Sequence, residues 1–221
     1  MHPAIRRIEW DSTAFGCDCY EIVQLSEEAL RIAAEQPGHY AIKVDPLLSK
    51  ALLHRHGFYY CDTLLEPYCP RERFVAHTDA RARYTRDTPL EDLLAICHGA
   101  FEHGRFHRDF CLQAGQADLR YDNWLRQIHA AGGVYGLWFE EHLAGFIAVN
   151  AHQLVLHAVA PSLRGRGIAK FLWSAVCSDL FRHYPELGSS ISATNVAAAN
   201  LYMTLGFRLR RPVDVYHRWK I

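Results

Sequence analysis

The 221-residue chain lacks the features that mark several large functional classes. Lys and Arg together number 24, as do Asp and Glu, so the formal net charge is zero. This balance argues against a dedicated nucleic-acid binder, whose binding face is normally strongly basic. No apolar run approaches membrane-spanning length, and residues 1–10 hold no apolar segment of the secretory type. We therefore expect a cytoplasmic protein with no nucleic-acid partner and no membrane insertion.

The cysteines and histidines lack the arrangement of a disulfide framework or a zinc site. The seven cysteines are odd in number and form no Cys-x-x-Cys pair, which favours reduced thiols. The chain has 14 histidines, of which His54 and His56 are two residues apart and would lie on different faces of a helix. Scattered histidines explain this composition, so we expect no bound metal.

A strand followed by a glycine-bearing turn is the most informative segment of the chain. Residues 154–160 predict the strand, and Arg164-Gly165-Arg166-Gly167-Ile168-Ala169 follows and opens an apolar helix. Glycine lets bare backbone approach a ligand, and the first amides of a helix carry the positive end of its dipole. The segment therefore predicts a phosphate or pyrophosphate site, to which Arg164, Arg166 and Lys170 add positive charge.

A second motif lies downstream and reads Asn195-x-x-Ala198-x-x-Leu201-Tyr202-x-x-x-Gly206-Phe207. Residues 196–205 predict a helix whose apolar stripe is Val196, Ala199 and Met203. Asn195 stands where a helix N-cap is expected, and Gly206 stands where a left-handed C-terminal residue is expected. Phe207 then begins a strand.

The two motifs together resemble those of the GNAT acetyltransferases. The resemblance implies an α/β fold with a mixed, mostly antiparallel central sheet flanked by helices, and acetyl-CoA as the co-substrate. It also implies that the Tyr202 hydroxyl is the general acid for the CoA thiolate and that the Val159 backbone N–H meets the thioester carbonyl. The residues implied to bind acetyl-CoA are Val159, Arg164, Gly165, Arg166, Gly167, Ile168, Ala169 and Asn195.

His157 is our candidate for the base that deprotonates the acceptor amine. It lies two residues before Val159, so the two side chains share a face of the strand, and its ordinary pKa suits the task. Two alternatives stay open, because His157 can also be a core histidine and a chain of water molecules can also remove the proton. Glu102, His103 and Asp109 are further candidates.

The chain predicts two parts that meet near residues 70–80. Residues 80–221 contain the elements of a complete acetyltransferase domain, and residues 1–75 predict a small α/β domain that resembles a degenerate half-copy of it. A strand at 39–44, a helix at 46–56, Gly57-Phe58 and a strand at 59–65 repeat the plan around Gly206-Phe207. The alternative is that glycine followed by phenylalanine is a common helix end.

The elements predicted for the acetyltransferase part alternate between strands and helices. The strands are 80–86, 134–139, 143–149, 154–160 and 189–193, with further strands between 207 and 219, and the helices are 90–101, 167–182 and 196–205.

Three further segments resemble the TDP-fucosamine acetyltransferase group, which acts on nucleotide-linked amino sugars. These segments are residues 10–16, 100–107 and 121–125. The resemblance implies that a TDP-amino-deoxy sugar for surface-polysaccharide synthesis is the acceptor and that direct attack, without an acyl-enzyme, forms the amide. Arg105, Arg108 and Tyr121 are the predicted substrate contacts, in a region we expect to be a loop, because arginine suits a diphosphate and an aromatic ring can stack on a base.

Several alternatives remain open at this stage. The acceptor can instead be another small amine, an amino acid, an antibiotic or a protein, and a non-catalytic acyl-CoA-binding module is a rival from another class. Retention of Tyr202 beside both motifs argues against the non-catalytic module. The sequence also leaves a homodimer open, and Val213, Val215 and Trp219 can be interface or core.

Overall fold

One 11-stranded sheet organises residues 2–220, the part of the chain that the computed structural model describes. The strands are β1 (Ile5–Arg7), β2 (Cys19–Ile22), β3 (Gly38–Val44), β4 (Tyr59–Pro70), β5 (Ala82–Thr85), β6 (Val134–Phe139), β7 (His142–Asn150), β8 (Gln153–Val159), β9 (Glu186–Ser189), β10 (Ile191–Ser192) and β11 (Arg208–Lys220). The helices are α1 (Glu9–Phe15), α2 (Glu27–Glu35), α3 (Ala51–Arg55), α4 (Leu90–Cys97), α5 (Ala114–Ala130), α6 (Ala169–Leu180) and α7 (Val196–Thr204).

The strands follow the order β1-β2-β3-β11-β4-β9-β8-β7-β6-β5, and β10 pairs with β4 beside this path. Only the β2–β3 and β8–β9 pairs in the described chain are parallel. The sheet is therefore mixed and mostly antiparallel, and helices flank it. This confirms the fold class predicted from the sequence.

Both faces of the sheet are covered, because successive side chains of a strand point to opposite sides. Tyr135 and Ile147 belong to the core beneath α6 and α7, whereas Val134, Phe146 and Ala148 belong to the core beneath α1, α4 and α5. A third core joins β1 to β3 with α2, α3 and Tyr216 of β11. Each core contributes residues to the wall of one large cavity, among them Ile168, Phe106 and Ile42.

The N-terminal part repeats the local geometry of the second motif. After α3, the N–H of Phe58 donates to the Leu53 carbonyl at 3.0 Å, and after α7 the N–H of Phe207 donates to the Tyr202 carbonyl at 3.0 Å. The glycine before each phenylalanine has a positive φ, 75° at residue 57 and 87° at residue 206. A left-handed residue ends both helices, and only glycine adopts it without strain.

The two parts of the chain exchange strands within the sheet. β11, which follows α7, lies between β3 and β4, the strands that flank α3. In return, β4 lies between β11 and the β9–β10 segment that precedes α7. Segments 1–75 and 80–221 therefore share one continuous sheet, and their division into two domains stays a prediction.

Most of the predicted elements are present with shifted ends. The strand at 134–139 is confirmed at both ends, and the helices predicted at 167–182 and 46–56 are shorter, as α6 and α3. The strand predicted at 189–193 is instead two strands, β9 and β10. The apolar stripe predicted for α7 was wrong, because Val196 and Met203 are 60% and 52% exposed whereas Tyr202 is buried.

Helix α5 corrects the prediction of a loop beyond residue 109. Tyr121 lies inside this 17-residue helix and is buried, while Arg105 and Arg108 do lie in the loop between α4 and α5. β11 is an inner strand, and its Val215 is fully buried, so this part of β11 is core. No helix within residues 2–220 has the length and apolarity needed to cross a membrane.

Candidate active site

A cavity of about 710 Å³ connects the glycine-bearing turn with the N-terminal part of the chain. One side is formed by the end of β8 and the start of α6, and the other by β2, β3, β4 and the loop before α5. A volume of this size is typical of small-molecule sites. The predicted site residues that line it are Arg105, Tyr121, His157, Val159, Arg164, Gly165, Arg166, Gly167, Ile168, Ala169 and Asn195.

Strands β8 and β9 separate next to this cavity. They pair only at Gln153 and Leu154, and the rest of β8 has β7 alone as its neighbour. The Ala160 N–H donates to Ala144 of β7 at 2.8 Å, so alternation turns the N–H of Val159 to the opposite, open side. The Val159 carbonyl accepts from the Arg164 Nε at 3.0 Å. A free backbone donor thus stands at the point where the sheet opens.

The turn before α6 presents backbone N–H groups that have no protein acceptor. Among the described residues, no carbonyl or side chain accepts from the backbone N–H groups of residues 165–170, and no side chain caps α6. Gly165 and Gly167 have φ values of 75° and 70°, so the turn needs glycine for its conformation. A Cβ at either position would meet open space, and exposed Arg166 stands between them. This arrangement suits an anion.

Asn195 caps helix α7 and lines the cavity. Its side-chain oxygen accepts from the Ala198 N–H at 3.0 Å, which confirms the N-cap interpretation. The side-chain amide nitrogen remains for a ligand. Both interpretations of this residue are therefore compatible.

His157 and Tyr202 form a hydrogen-bonded pair behind the cavity wall. The distance between the Tyr202 hydroxyl and His157 Nε2 is 2.8 Å. Tyr202 is fully buried and does not line the cavity, whereas His157 is partly exposed and does. Burial lowers the pKa of His157 to about 4 and raises the pKa of Tyr202 well above its usual range. Both side chains are therefore neutral at pH 7.

Arg105 is a half-buried cation without an acidic partner in the described part of the chain. Its Nε is buried and has no hydrogen-bond acceptor, and burial lowers the pKa of its guanidinium group. Arg120, by contrast, is paired with Asp11 at 3.0 Å. An unpaired guanidinium in a cavity suits an anionic ligand.

Aromatic rings line the same cavity as this cation. Tyr121 stacks on Phe101 with ring centroids 4.5 Å apart, and Trp10 and Trp124 also line the cavity. The predicted substrate contact Arg108 does not line the cavity. Its Nη1 lies 2.9 Å from Asp62 Oδ1 instead.

Asp62 is a cavity residue that the sequence reasoning missed. It lies on β4, its side chain is fully buried, and its Oδ2 has no hydrogen-bond partner among the described residues. Burial raises the pKa of this carboxyl. From the sequence, a single acid in a strand that also carries tyrosines is expected to be exposed to solvent. Only the pairing of β4 with β10 and β11 buries this side chain.

A second cluster missed from the sequence lies around Asp109, one of the candidate bases. Asp109 Oδ2 lies 3.1 Å from His39 Nε2 and 2.7 Å from His217 Nδ1, and Oδ1 accepts from the Tyr59 hydroxyl at 2.8 Å. These contacts hold the pKa of Asp109 well below its usual range against the opposing effect of burial, and burial lowers the pKa of His217 to about 3.

The ligand atoms of His39, Asp109 and His217 lie within 4.8 Å of one another, the spacing of a metal site. Hydrogen bonds between these atoms also account for the arrangement, so the absence of a metal stays a prediction. Of the other candidate bases, Glu102 and His103 line the cavity and are exposed. His107, four residues after His103 in the same loop, forms a hydrogen bond of 2.8 Å with Asp118 of α5.

The geometry agrees with comparisons to known proteins. The acetyltransferase (GNAT) family model matches residues 92–207, more than half of the chain. No curated protein matches the chain in sequence. Among solved structures, a GCN5-related N-acetyltransferase from Sphaerobacter thermophilus is 16% identical, with a TM-score of 0.59 over 84% of this chain and 61% of that one.

Two further solved structures share the fold. A GNAT-family acetyltransferase structure from Novosphingobium aromaticivorans is 16% identical, with a TM-score of 0.59 over 100% of this chain and 91% of that one. A tandem GNAT protein from the clavulanic acid biosynthesis pathway is 14% identical, with a TM-score of 0.58 over 92% of this chain and 76% of that one. At such identities the likeness concerns the fold.

Proposed function

Because the chain belongs to the acetyltransferase (GNAT) family, we propose that it transfers the acetyl group of acetyl-CoA to a primary amine on a small anionic molecule. One observation carries this proposal. A single cavity is bordered on one side by the anion-binding turn at residues 164–169 and on the other by an unpaired arginine, with aromatic rings in the same wall. The cavity therefore offers places for a donor and an acceptor in contact with each other.

The residues around the turn fit acetyl-CoA. The free N–H groups of residues 165–170 and the start of α6 would hold the pyrophosphate, with Arg164, Arg166 and Lys170 nearby. Asn195 would contact the pantetheine arm. The open N–H of Val159 would donate to the thioester oxygen, where negative charge develops as the carbon becomes tetrahedral. Bound acetyl-CoA supplies an activated acyl group and a thiolate leaving group.

We assign proton delivery to the His157–Tyr202 pair. The leaving sulfur needs a proton or a hydrogen bond as the C–S bond breaks. Tyr202 carries a hydroxyl that remains protonated at every physiological pH, and its partner His157 faces the cavity. Tyr202 would therefore act on the sulfur through His157, the member of the pair that faces the cavity.

A nucleotide-linked amino sugar is the acceptor that we propose. Its diphosphate would pair with Arg105, and its base would contact the aromatic side chains that line the cavity. Direct attack of the amine is proposed because neither a cysteine nor a serine motif points to an acyl-enzyme. Arg108 would act on this substrate through Asp62, with which it is paired.

The test is thiol release from acetyl-CoA with a panel of amines. The panel contains a TDP-4-amino-4,6-dideoxy sugar, glucosamine, spermidine and lysine. Turnover restricted to the TDP-amino sugar supports both the reaction and the acceptor class. Turnover with another amine supports the proposed acetyl transfer and rejects the nucleotide-linked amino sugar as the acceptor. Acetyl-CoA binding without turnover on any amine supports a binding module, and absence of acetyl-CoA binding rejects the proposal altogether.

A further inference from the structure

Asp62 has a carboxylate that is satisfied on one oxygen only. Its Oδ1 accepts hydrogen bonds from Ser192 Oγ at 2.7 Å, from the Thr63 N–H at 2.9 Å and from Arg108 Nη1 at 2.9 Å. Its Oδ2 is buried and accepts none from the described residues. Leaving a buried charged oxygen unpaired costs free energy, so such an atom calls for a ligand or a chemical role.

The contacts of Asp62 place it beside the opening of the sheet. Ser192 belongs to β10, which follows directly on β9, the strand that separates from β8 next to Val159. Asp62, Ser192 and Val159 all line the same cavity. The carboxylate is therefore on the side of the opening opposite the strand that would hold the thioester.

The charges that face Asp62 are cationic or neutral. Arg108 from the loop before α5 contacts it, Arg105 from the same loop acts on it through space, and Tyr121 of α5 is a neutral phenol nearby. Burial nevertheless outweighs both arginines and raises the pKa of the carboxyl above its usual value. A carboxylate with a raised pKa is a stronger base than an exposed one.

His157 is less suited to deprotonation of the acceptor. Its Nε2 is engaged with Tyr202, and a histidine whose pKa is about 4 has little affinity for a proton at neutral pH. Glu102 and His103 are exposed, and Asp109 is enclosed by hydrogen bonds to two histidines and Tyr59. Asp62 combines an oxygen without a hydrogen-bond partner, burial and a position in the wall of the cavity.

We propose that Asp62 binds the ammonium group of the acceptor and takes a proton from it before the amine attacks, an assignment that rests on the proposed acetyl transfer. The ammonium N–H bond breaks, and the proton goes to Oδ2. The nitrogen lone pair then forms the C–N bond, and the C–S pair leaves with the thiolate. The thiolate takes up the second nitrogen proton through the His157–Tyr202 pair, and Asp62 returns its proton to solvent.

Asp62→Asn tests the assignment because asparagine keeps the shape and the acceptor oxygen while removing the charge. We expect kcat/KM for the amine that the unaltered protein uses in the panel to fall at least about 100-fold at pH 7. The difference in kcat/KM between the variant and the unaltered protein shrinks as the pH rises toward the pKa of the amine. More of the acceptor is then already deprotonated, so the reaction depends less on the base. Acetyl-CoA affinity stays unchanged. Asp62→Glu, which restores the charge, recovers part of the activity.

Asp122→Asn is the matched control. Asp122 is also a buried acid with one unpaired oxygen, but it lies on α5, pairs with His98 and does not line the cavity. We expect this variant to keep the wild-type pH profile. Thermal unfolding of both variants reports whether the fold is retained.

The outcomes separate the two proposals. Thiol release by the unaltered protein, together with an Asp62→Asn variant of equal activity and pH profile, overturns the Asp62 assignment alone. Absence of thiol release and of acetyl-CoA binding in the unaltered protein overturns both. If Asp62→Asn does not fold, the assignment is tested on the unaltered protein with an analogue of the acceptor in which hydroxyl replaces the amine. This analogue should bind at least about tenfold more weakly than the amine at pH 7, as measured by competition. Equal binding of the two molecules overturns the assignment.

Discussion

At the scale of single residues, the core of this protein holds polar side chains that satisfy one another in pairs. Tyr202 and His157 satisfy each other at 2.8 Å, and His217 satisfies Asp109 at 2.7 Å. A buried polar group without its partner costs free energy, so each pair is sensitive to the loss of one member. Substitution of one member of a pair, with activity and stability both measured, therefore distinguishes a chemical role from a packing role.

We expect Tyr202→Phe to lower kcat about 100-fold and to leave acetyl-CoA affinity unchanged, because only the hydroxyl that serves the leaving sulfur is lost. Stability should fall by about 1 kcal/mol, since His157 loses its hydrogen-bond partner. Steady-state kinetics, isothermal calorimetry and urea unfolding measure the three quantities. Tyr184→Phe, in a tyrosine packed against the same core, is the control. An unaltered kcat would remove the acid role.

The protein should lose stability in mild acid. Burial lowers the pKa of His217 to about 3 and that of His157 to about 4. The unfolded chain binds these protons near pH 6.5, whereas the folded protein does not. The free energy of unfolding therefore falls as the pH drops below about 6.5, by up to about 1.4 kcal/mol per pH unit for fully buried His217 and less for partly exposed His157.

Urea unfolding at pH 7, 6 and 5 measures this slope. The low pKa of Asp109 stabilises the fold above about pH 4 and so contributes no slope in this range. His217→Gln should show a shallower dependence on pH, and His142→Gln, which changes an exposed histidine, should keep the original one. Equal slopes in all three proteins would contradict the argument.

At the scale of elements, helix α6 and the turn before it behave as one anion-binding unit. The turn keeps its N–H groups free because Gly165 and Gly167 take a left-handed conformation. The sequence predicted this unit because strand, glycines and apolar helix are local signals. It did not predict α5, because the charged residues Arg120 and Asp122 occupy buried positions and disguise the apolar period of that helix.

Gly167→Ala should weaken acetyl-CoA binding about 5- to 30-fold. A Cβ at φ 70° costs about 1–2 kcal/mol, so the turn populates its binding conformation less. Gly132→Ala introduces the same strain at φ 71°, with equally open space around the Cβ, but Gly132 follows the C-terminal end of α5 and does not line the cavity. It should leave the affinity unchanged. Calorimetric titration with acetyl-CoA compares the two, and equal affinities would remove the turn from the binding site.

At the scale of the whole molecule, the exchange of β4 and β11 is the feature that local sequence patterns do not reveal. The repeated Gly-Phe helix ends indicate a degenerate half-copy in the N-terminal part, which stays a prediction. The identity of each strand's neighbours depends on contacts between residues far apart in sequence, as in the pairing of Tyr60 with Tyr216. Asp62 is missed for the same reason, since its burial follows from that pairing.

Residues 80–221 produced alone should not fold cooperatively. Without β4, the edges of β9 and β11 lose their common neighbour, and β11 also loses β3 on its other side. Unpaired inner edges expose backbone groups and favour aggregation. Circular dichroism during thermal unfolding tests this, and addition of a separate 1–79 chain should restore a cooperative transition. A cooperative transition of 80–221 by itself would contradict the prediction.

The strand exchange also sets the order in which this protein can mature on the ribosome. β3 and β4 are complete early in synthesis, but the strand that belongs between them is β11, which ends at Lys220. At about 5–20 residues per second, the roughly 140 residues between the end of β4 and the start of β11 take about 7–28 s, and the inner edges stay open for that time. Native pairing in the middle of the sheet therefore begins only after β11 has been synthesised, and until then the edges of β3 and β4 that pair with it stay open.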